Sequence, residues 1–199
     1  MTAPQTIPHL PSFIPYELCT TVGVVPDPPE AVDQCMDIVQ ADVAKGGVSA
    51  RGVTEEQFAQ LQQVVSDARA DGIDLKIVVI DGNPYIDTPL RDIATEVGQA
   101  NPGSTVLALS PSFAGTYSPT FDRVTLEAGE DLAKTGNPVQ SAQNFVSELH
   151  TPDFPWMTWT IGLTLGVLIA AVATRLLQRR AKAAYASNVQ AENTSADPS

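Results

Sequence analysis

One uncharged apolar stretch near the C-terminus constrains this chain more than any other feature. Residues 154–174 read FPWMTWTIGLTLGVLIAAVAT and contain no Asp, Glu, Lys or Arg. As a helix rising about 1.5 Å per residue, the stretch would reach roughly 32 Å, enough to cross the hydrocarbon core of a bilayer. Trp156 and Trp159 lie at its start, where amphipathic rings favour the headgroup layer. A buried core helix, the alternative, would need a large domain around it, and the residues that follow are mostly polar. The pattern therefore predicts a transmembrane helix over residues 154–177.

Charge is distributed unevenly on the two sides of this stretch. Residues 1–153 carry seven Lys/Arg and twenty-one Asp/Glu, a net charge of −14, whereas residues 175–199 carry four Lys/Arg and two Asp/Glu. The acidic part would repel phosphate, so no nucleic-acid partner is expected. The basic residues that flank the span are Arg175, Arg179, Arg180 and Lys182.

These flanking cations predict an orientation, because Lys and Arg beside a span are retained on the cytoplasmic side. The short basic-to-polar tail 178–199 would then be cytoplasmic, and the acidic domain 30–153 would lie outside the plasma membrane. One observation favours the opposite arrangement, since the first thirty residues show neither the basic n-region nor the apolar h-region of a cleavable signal peptide. A tail-anchored protein with its domain in the cytoplasm is therefore the alternative.

The N-terminal segment 1–29 is rich in proline, with seven of the sixteen prolines of the chain. Proline fixes φ and removes a backbone donor, so the segment is predicted to be an extended arm without regular structure. The two cysteines are Cys19 in the arm and Cys35 in the domain. In an oxidising compartment they could form a disulfide that ties the arm to the first helix. Alternatively, Cys35 is a free, buried apolar residue.

The domain 30–153 alternates helical and strand patterns. Apolar residues at helical spacing predict helices over 30–45, over 55–71 with a Thr54/Gln57 capping box, from Thr88, over 121–134 and from Pro138. Residues 73–80 and 104–110 are predicted strands, with a weaker one near Thr116, and the first is apolar on both faces, as in the centre of a sheet. The domain is therefore predicted to be α/β, with a small sheet sandwiched by helices and followed by one C-terminal transmembrane helix.

The stretch TEEQFAQLQQVVSDARADGIDLKIVVID, the later STVLALS strand and a closing helix before a membrane anchor resemble the TPM domain family. The whole arrangement is similar to a family of actinobacterial single-span membrane proteins encoded beside cell-wall endopeptidases. The resemblance implies a small α/β sandwich tethered to a membrane. Some members of the TPM family are described as acid phosphatases or calcium binders, and others as assembly or regulatory factors.

The residues that could carry chemistry are few. His9 and His150 are the only histidines, and both lie outside the predicted domain core, so a Ser/His/Asp triad or a histidine zinc site is not expected. Asp81, Asn83 and Asp87 follow the first central strand, where α/β folds place their sites, and their oxygens could bind calcium. The alternative is a polar turn in which Asp87 helps to cap a helix. No other cofactor is expected.

Two groups of acidic residues are predicted to be solvated faces of the domain, or surfaces that steer a basic partner. The first comprises Glu127, Glu130 and Asp131, and the second comprises Asp67, Asp71 and Asp74.

The predicted span carries a stripe of small residues at every fourth position, namely Thr158, Gly162, Gly166, Ala170 and Thr174. Such a stripe lets two helices approach closely in lipid, so it predicts a transmembrane homodimer or a heteromer with another span. Because Gly and Ala are common in membrane helices, a chance pattern is the alternative.

Together these patterns predict a non-enzymatic, membrane-anchored interaction module on the outer face of the bacterial cell envelope. By resemblance, its partner would be a peptidoglycan hydrolase or a division protein that it positions or regulates. The alternatives are a membrane-tethered, metal-dependent acid phosphatase and a cytoplasmic tail-anchored adaptor.

Overall fold

The computed structural model describes residues 13–25, 31–151 and 156–195. The chain divides into two compact units, residues 1–151 and 152–199. The first twelve residues of the proline-rich segment, with His9, and residues 26–30 lie outside the described residues.

The first unit is built on a four-stranded sheet with the order β1-β2-β3-β4. The strands are β1 (Val48–Ser49), β2 (Leu75–Val79), β3 (Thr105–Leu109) and β4 (Ala114–Tyr117). The first three run parallel, and β4 returns antiparallel to β3. Both predicted strands and the weaker third one are therefore present, and the sheet gains a short edge strand at Val48.

Helices cover both faces of this sheet. They are α1 (Tyr16–Val22), α2 (Ala31–Gly46), α3 (Glu55–Ala70), α4 (Thr88–Ala100), α5 (Arg123–Leu132) and α6 (Pro138–Leu149). One apolar cluster joins α3, α5 and α6 to one face, and a second joins α1, α2 and α4 to the other. Leu75 and Ile77 of β2 belong to the first cluster and Val78 to the second, which confirms that this strand is apolar on both faces. The α/β fold class is confirmed.

Local capping sets the start of the helices on the α3/α6 face. The amide of Gln57 donates to Thr54 Oγ1 at 3.2 Å, and the amide of Thr54 donates to Gln57 Oε1 at 3.1 Å. The capping box predicted for α3 is therefore confirmed. At the start of α6, Asn137 Oδ1 accepts hydrogen bonds from the amides of Val139 and Gln140.

The prediction that segment 1–29 has no regular structure is wrong for residues 16–22, which form helix α1. Pro15 occupies the N-cap, where its missing amide costs nothing, and no proline follows before position 26. Leu18, Cys19 and Val22 of the helix are buried in the domain. The high proline content of the whole segment predicts no helix, although residues 16–25 contain no proline.

Of the two alternatives for the cysteines, the structure has the disulfide. Cys19 of α1 and Cys35 of α2 are bonded, with Cα atoms 5.1 Å apart. The bond joins the N-terminal helix to the core helix α2 across the intervening proline-rich residues.

The interpretation of Glu130 as part of a solvated face is also wrong. Its side chain is 9% exposed and receives hydrogen bonds from the amide of Thr116 at 2.9 Å and from Thr116 Oγ1 at 2.6 Å. Arg91 of α4 lies 3.5 Å from its other carboxylate oxygen. Glu127 and Asp131 are exposed, as predicted, and form ion pairs with neighbours on their own segment.

The second unit is the single helix α7 (Trp156–Ser195), 40 residues long. Residues Met157–Lys182 have a mean hydropathy of 1.9 in their most apolar window, long and apolar enough to cross a membrane. The chain thus has one candidate span among its described residues. The helix continues through most of the segment predicted as the tail, of which residues 196–199 lie outside the described residues.

Candidate functional site

The parallel strands β2 and β3 end at the same edge of the sheet, and a cleft opens there. Its volume is about 180 Å³. Loops at this edge are where open α/β sheets place their ligands. The lining is mixed, because apolar side chains alternate with the polar residues Gln57, Asp81, Ser110 and Ser141.

Asp81 leaves β2 at the mouth of this cleft and is held by α1. Thr21 Oγ1 donates to Asp81 Oδ1 at 2.5 Å and accepts from the amide of Asp81 at 3.1 Å. Gly52 lies against the Asp81 side chain, because a Cβ at position 52 would be 2.7 Å from Asp81 Cβ. The close approach needs glycine there. The helix that the proline pattern concealed is thus the element that fixes Asp81.

Asn83 joins the loop after β2 to the turn between β3 and β4. Its Oδ1 accepts hydrogen bonds from Ser110 Oγ and from the amide of Ser112, both at 2.9 Å. Its Nδ2 donates to Ser112 Oγ at 3.0 Å. An amide oxygen has two lone pairs, so protein donors occupy both acceptor positions of Asn83 in this conformation.

Asp87, the third predicted calcium ligand, is the N-cap residue of α4 but makes no side-chain capping bond. The helix begins at Thr88, as predicted, and Pro89 is its second residue. Within the described parts of the chain, no three His, Cys, Asp or Glu side chains are grouped to hold a metal ion. Calcium binding by Asp81, Asn83 and Asp87 stays a prediction.

Segments near the same edge carry exposed apolar side chains. Tyr85 and Ile86 lie in the loop after β2, and Phe13 and Tyr16 lie at or just before the start of α1; Tyr85 is 99% exposed. The amide of Phe13 donates to Asp92 of α4 at 2.9 Å, which brings the N-terminal segment to the start of that helix. We call these four residues the aromatic rim. The sequence pattern predicts only an arm and a turn for these segments. The adjacent apolar residues Tyr85 and Ile86 are the one sequence signal of an exposed apolar surface here.

The segments that carry the aromatic rim also carry acidic residues. Glu17 packs near Gly82, and Asp81, Asp87 and Asp92 lie on the loop or at the start of α4. None of the described residues that line the cleft is a Lys or an Arg. The hydrogen bond from Lys134 to Asp131 raises the pKa of Lys134, and the charges of Asp131, Glu130 and Asp87 add to this effect.

The second predicted acidic group is partly neutralised. Asp74 pairs with Lys76 at 2.9 Å and with Arg69 at 3.8 Å, and Asp71 lies 3.5 Å from His150 Nε2. Asp74 precedes β2, at the opposite end of the strand from Asp81. Asp67 accepts a hydrogen bond from Gln63 Nε2 at 2.7 Å.

On α7, the predicted small residues lie on one side of the helix and line a shallow groove of about 610 Å³. The groove is bordered by Thr158, Gly162, Gly166 and Ala170, together with larger apolar side chains. A Cβ at Gly162 or Gly166 would meet no atom within 4 Å. Thr174 Oγ1 donates to the carbonyl of Ala170 at 2.8 Å, so this hydroxyl is satisfied within its own helix.

Comparison with known proteins gives three findings. A family model described as "Membrane protein Rv1476" matches residues 10–191. Membrane protein Rv1476 of Mycobacterium tuberculosis is 54% identical over 179 residues, which are 90% of this chain and 86% of that protein. The solution NMR structure of the N-terminal domain of the cg2496 protein from Corynebacterium glutamicum matches with a TM-score of 0.42 and 17% identity, over 51% of this chain and 74% of that one.

Proposed function

This chain belongs to the Rv1476 family of membrane proteins, and on that premise we propose that it is a non-enzymatic interaction module of the cell envelope. The span anchors the α/β domain at the outer face of the plasma membrane. There the domain binds another envelope protein through the sheet edge that carries the aromatic rim.

The exposure of the aromatic rim is the observation that carries this proposal. Tyr85 and Phe13 are 99% and 68% exposed, and large aromatic side chains are enriched at the centres of protein interfaces. Buried on a partner, each would contribute apolar area that its own domain leaves in water. The acidic residues around the rim favour a partner with a basic surface, because complementary charge speeds encounter and rejects acidic proteins.

Two features support the outward orientation. Arg175, Arg179, Arg180 and Lys182 follow the span, and such residues favour the cytoplasmic side. The Cys19–Cys35 disulfide suits an oxidising compartment, which the outer face of the membrane provides. By the resemblance to the actinobacterial single-span family encoded beside cell-wall endopeptidases, the partner would be a peptidoglycan hydrolase or a division protein, which this module positions or regulates.

Site-specific photo-crosslinking in living cells tests the interaction. The full chain carries a photoreactive phenylalanine analogue in place of Tyr85, and crosslinked proteins are identified by mass spectrometry. We expect a discrete adduct with one envelope protein. The matched control places the same analogue at Val124, which is 77% exposed on α5. Equal adducts from both positions, or none from position 85, would contradict the proposal.

Orientation is tested with a protease added to intact cells. The domain should be digested while an epitope fused after residue 199 is retained. Retention of the domain with loss of the epitope would instead favour the cytoplasmic tail-anchored adaptor.

The groove on α7 supports a further part of the proposal, namely that the span associates with a second helix, either of another copy or of the partner. Small residues permit the close helix contact that association in lipid requires. Gly166→Leu should fill the groove. The yield of dimer or heteromer captured by a photoreactive residue placed in the span should then fall to about half or less. Val172→Leu, which lies outside that groove, is the control.

A further inference from the structure

The cleft at the carboxyl edge of the sheet combines apolar side chains, neutral polar groups and a single carboxylate. Val53, Val79 and Leu109 are among its apolar lining residues, and Asp81 is the one charged residue among the described residues that line it. At about 180 Å³ it is smaller than the roughly 300–1,000 Å³ of sites that hold cofactors and drug-sized ligands. Its size therefore suits one side chain of a partner better than a nucleotide or a sugar.

The carboxylate of Asp81 has no cationic partner among the residues that the structure describes. The hydroxyl of Thr21 bonds to Oδ1, and this contact holds the carboxylate at the mouth of the cleft. Asp81 also packs directly against Gly52, where a larger residue would collide with it, and this contact further fixes its position. A group that enters the cleft would therefore meet a fixed, unpaired negative charge.

The chemistry of the cleft matches that of a long basic side chain. Lysine and arginine carry an aliphatic stem that packs on apolar walls and a cationic head that stays near water or a counter-charge. We propose that the cleft receives a lysine or arginine side chain of the partner protein, with Asp81 as its counter-ion. This inference rests on the proposed interaction function and adds the chemical identity of an anchor residue beside the aromatic rim.

Methyl NMR of the full chain in lipid nanodiscs tests the inference without knowledge of the partner. The probes are N-acetyl-lysine methylamide and N-acetyl-arginine methylamide, with the uncharged N-acetyl-norleucine methylamide for comparison. The methyl resonances of Val53, Val79 and Leu109 should shift saturably with the two cationic probes. The dissociation constant for norleucine should be about fivefold weaker, as expected for loss of an exposed ion pair.

Two variants separate the cleft from general electrostatics. Asp81→Asn keeps an oxygen for Thr21 and should abolish the preference for cationic probes. Asp87→Asn removes the same charge from the same loop outside the cleft, and it should retain that preference. Equal binding of norleucine, equal effects of the two variants, or shifts confined to other methyl groups would overturn the inference. Shifts with Ca²⁺ and none with the cationic probes would also overturn it, and they would support the calcium site instead.

The outcomes of the two tests are independent. An adduct at position 85 without binding of the cationic probes would support the interaction function. It would contradict the proposal that the cleft receives a lysine or arginine of the partner. Binding of the cationic probes without an adduct at position 85 would contradict the proposed docking of a partner at the aromatic rim. It would still show that the cleft accepts basic side chains.

Discussion

The carboxylate of Glu130 joins three elements of the domain, and its removal offers a quantitative test of the core. It accepts two hydrogen bonds from Thr116 of β4 and lies 3.5 Å from Arg91 of α4, and its own side chain is 9% exposed. Glu130→Ala would leave the buried amide of Thr116 without its acceptor, a loss of about 1–3 kcal/mol. The Arg91 side chain is 40% exposed, so loss of that ion pair adds less than about 1 kcal/mol.

The expected decrease in the free energy of unfolding is therefore about 1–4 kcal/mol, a large fraction of the roughly 5–15 kcal/mol of a typical domain. Glu130→Gln keeps one acceptor oxygen for Thr116 and should cost about half as much. Urea unfolding of the full chain in detergent, followed by circular dichroism, measures both. Hydrogen exchange at the Thr116 amide gives a local readout that should accelerate in Glu130→Ala.

The control is Glu127→Ala on the same helix. Glu127 is 54% exposed and pairs with Arg123, so its loss should cost no more than about 0.5 kcal/mol. If Glu130→Ala and Glu127→Ala differ by less than about 0.5 kcal/mol, then the burial and bonding of Glu130 do not stabilise this domain as argued.

Three further predictions concern other parts of the first unit. Gly115→Ala should destabilise it by about 1–3 kcal/mol or more, because the new Cβ would lie 2.5 Å from backbone atoms at the start of α4, and urea unfolding measures this. The double change Cys19→Ser/Cys35→Ser should cost about 3 kcal/mol for a crosslink of this sequence separation, measured against wild type with and without reductant. The hydrogen bond from the amide of Thr125 lowers the pKa of Asp122 in the folded protein. The bond therefore stabilises the fold fully above the unfolded pKa of about 3.9, and this stabilisation is lost as the pH falls through the folded pKa. Asp122→Asn should remove this pH dependence from the Thr125 amide resonance.

Most of the fold could be predicted because local signals agreed with the final packing. Apolar residues on both faces of β2 and the Thr54/Gln57 pair each depend on neighbours close in sequence. The candidate span likewise follows from composition alone. These features are visible before any tertiary contact forms.

The parts that sequence reasoning missed depend on contacts between distant segments. Glu130 resembles its exposed acidic neighbours, and only β4 and α4 bury it. Asn83 resembles a turn residue, yet its partners Ser110 and Ser112 come from 27 and 29 residues further along the chain. Similarly, Thr21 reaches Asp81 across 60 positions. No spacing rule within a single segment reveals such pairs.

The covalent bond between α1 and α2 has a mechanical consequence for a protein fixed at its other end in a bilayer. Tension applied to the first residues would reach Cys19 and pass through the sulfur atoms to Cys35, whose helix is packed against the sheet. Because the disulfide joins positions 19 and 35 directly, the load would not pass through residues 26–30. The hydrogen bonds between Thr21 and Asp81 would therefore not have to carry the load alone. The part of the chain from Cys19 onward is therefore held on the domain even when the residues before it are pulled away.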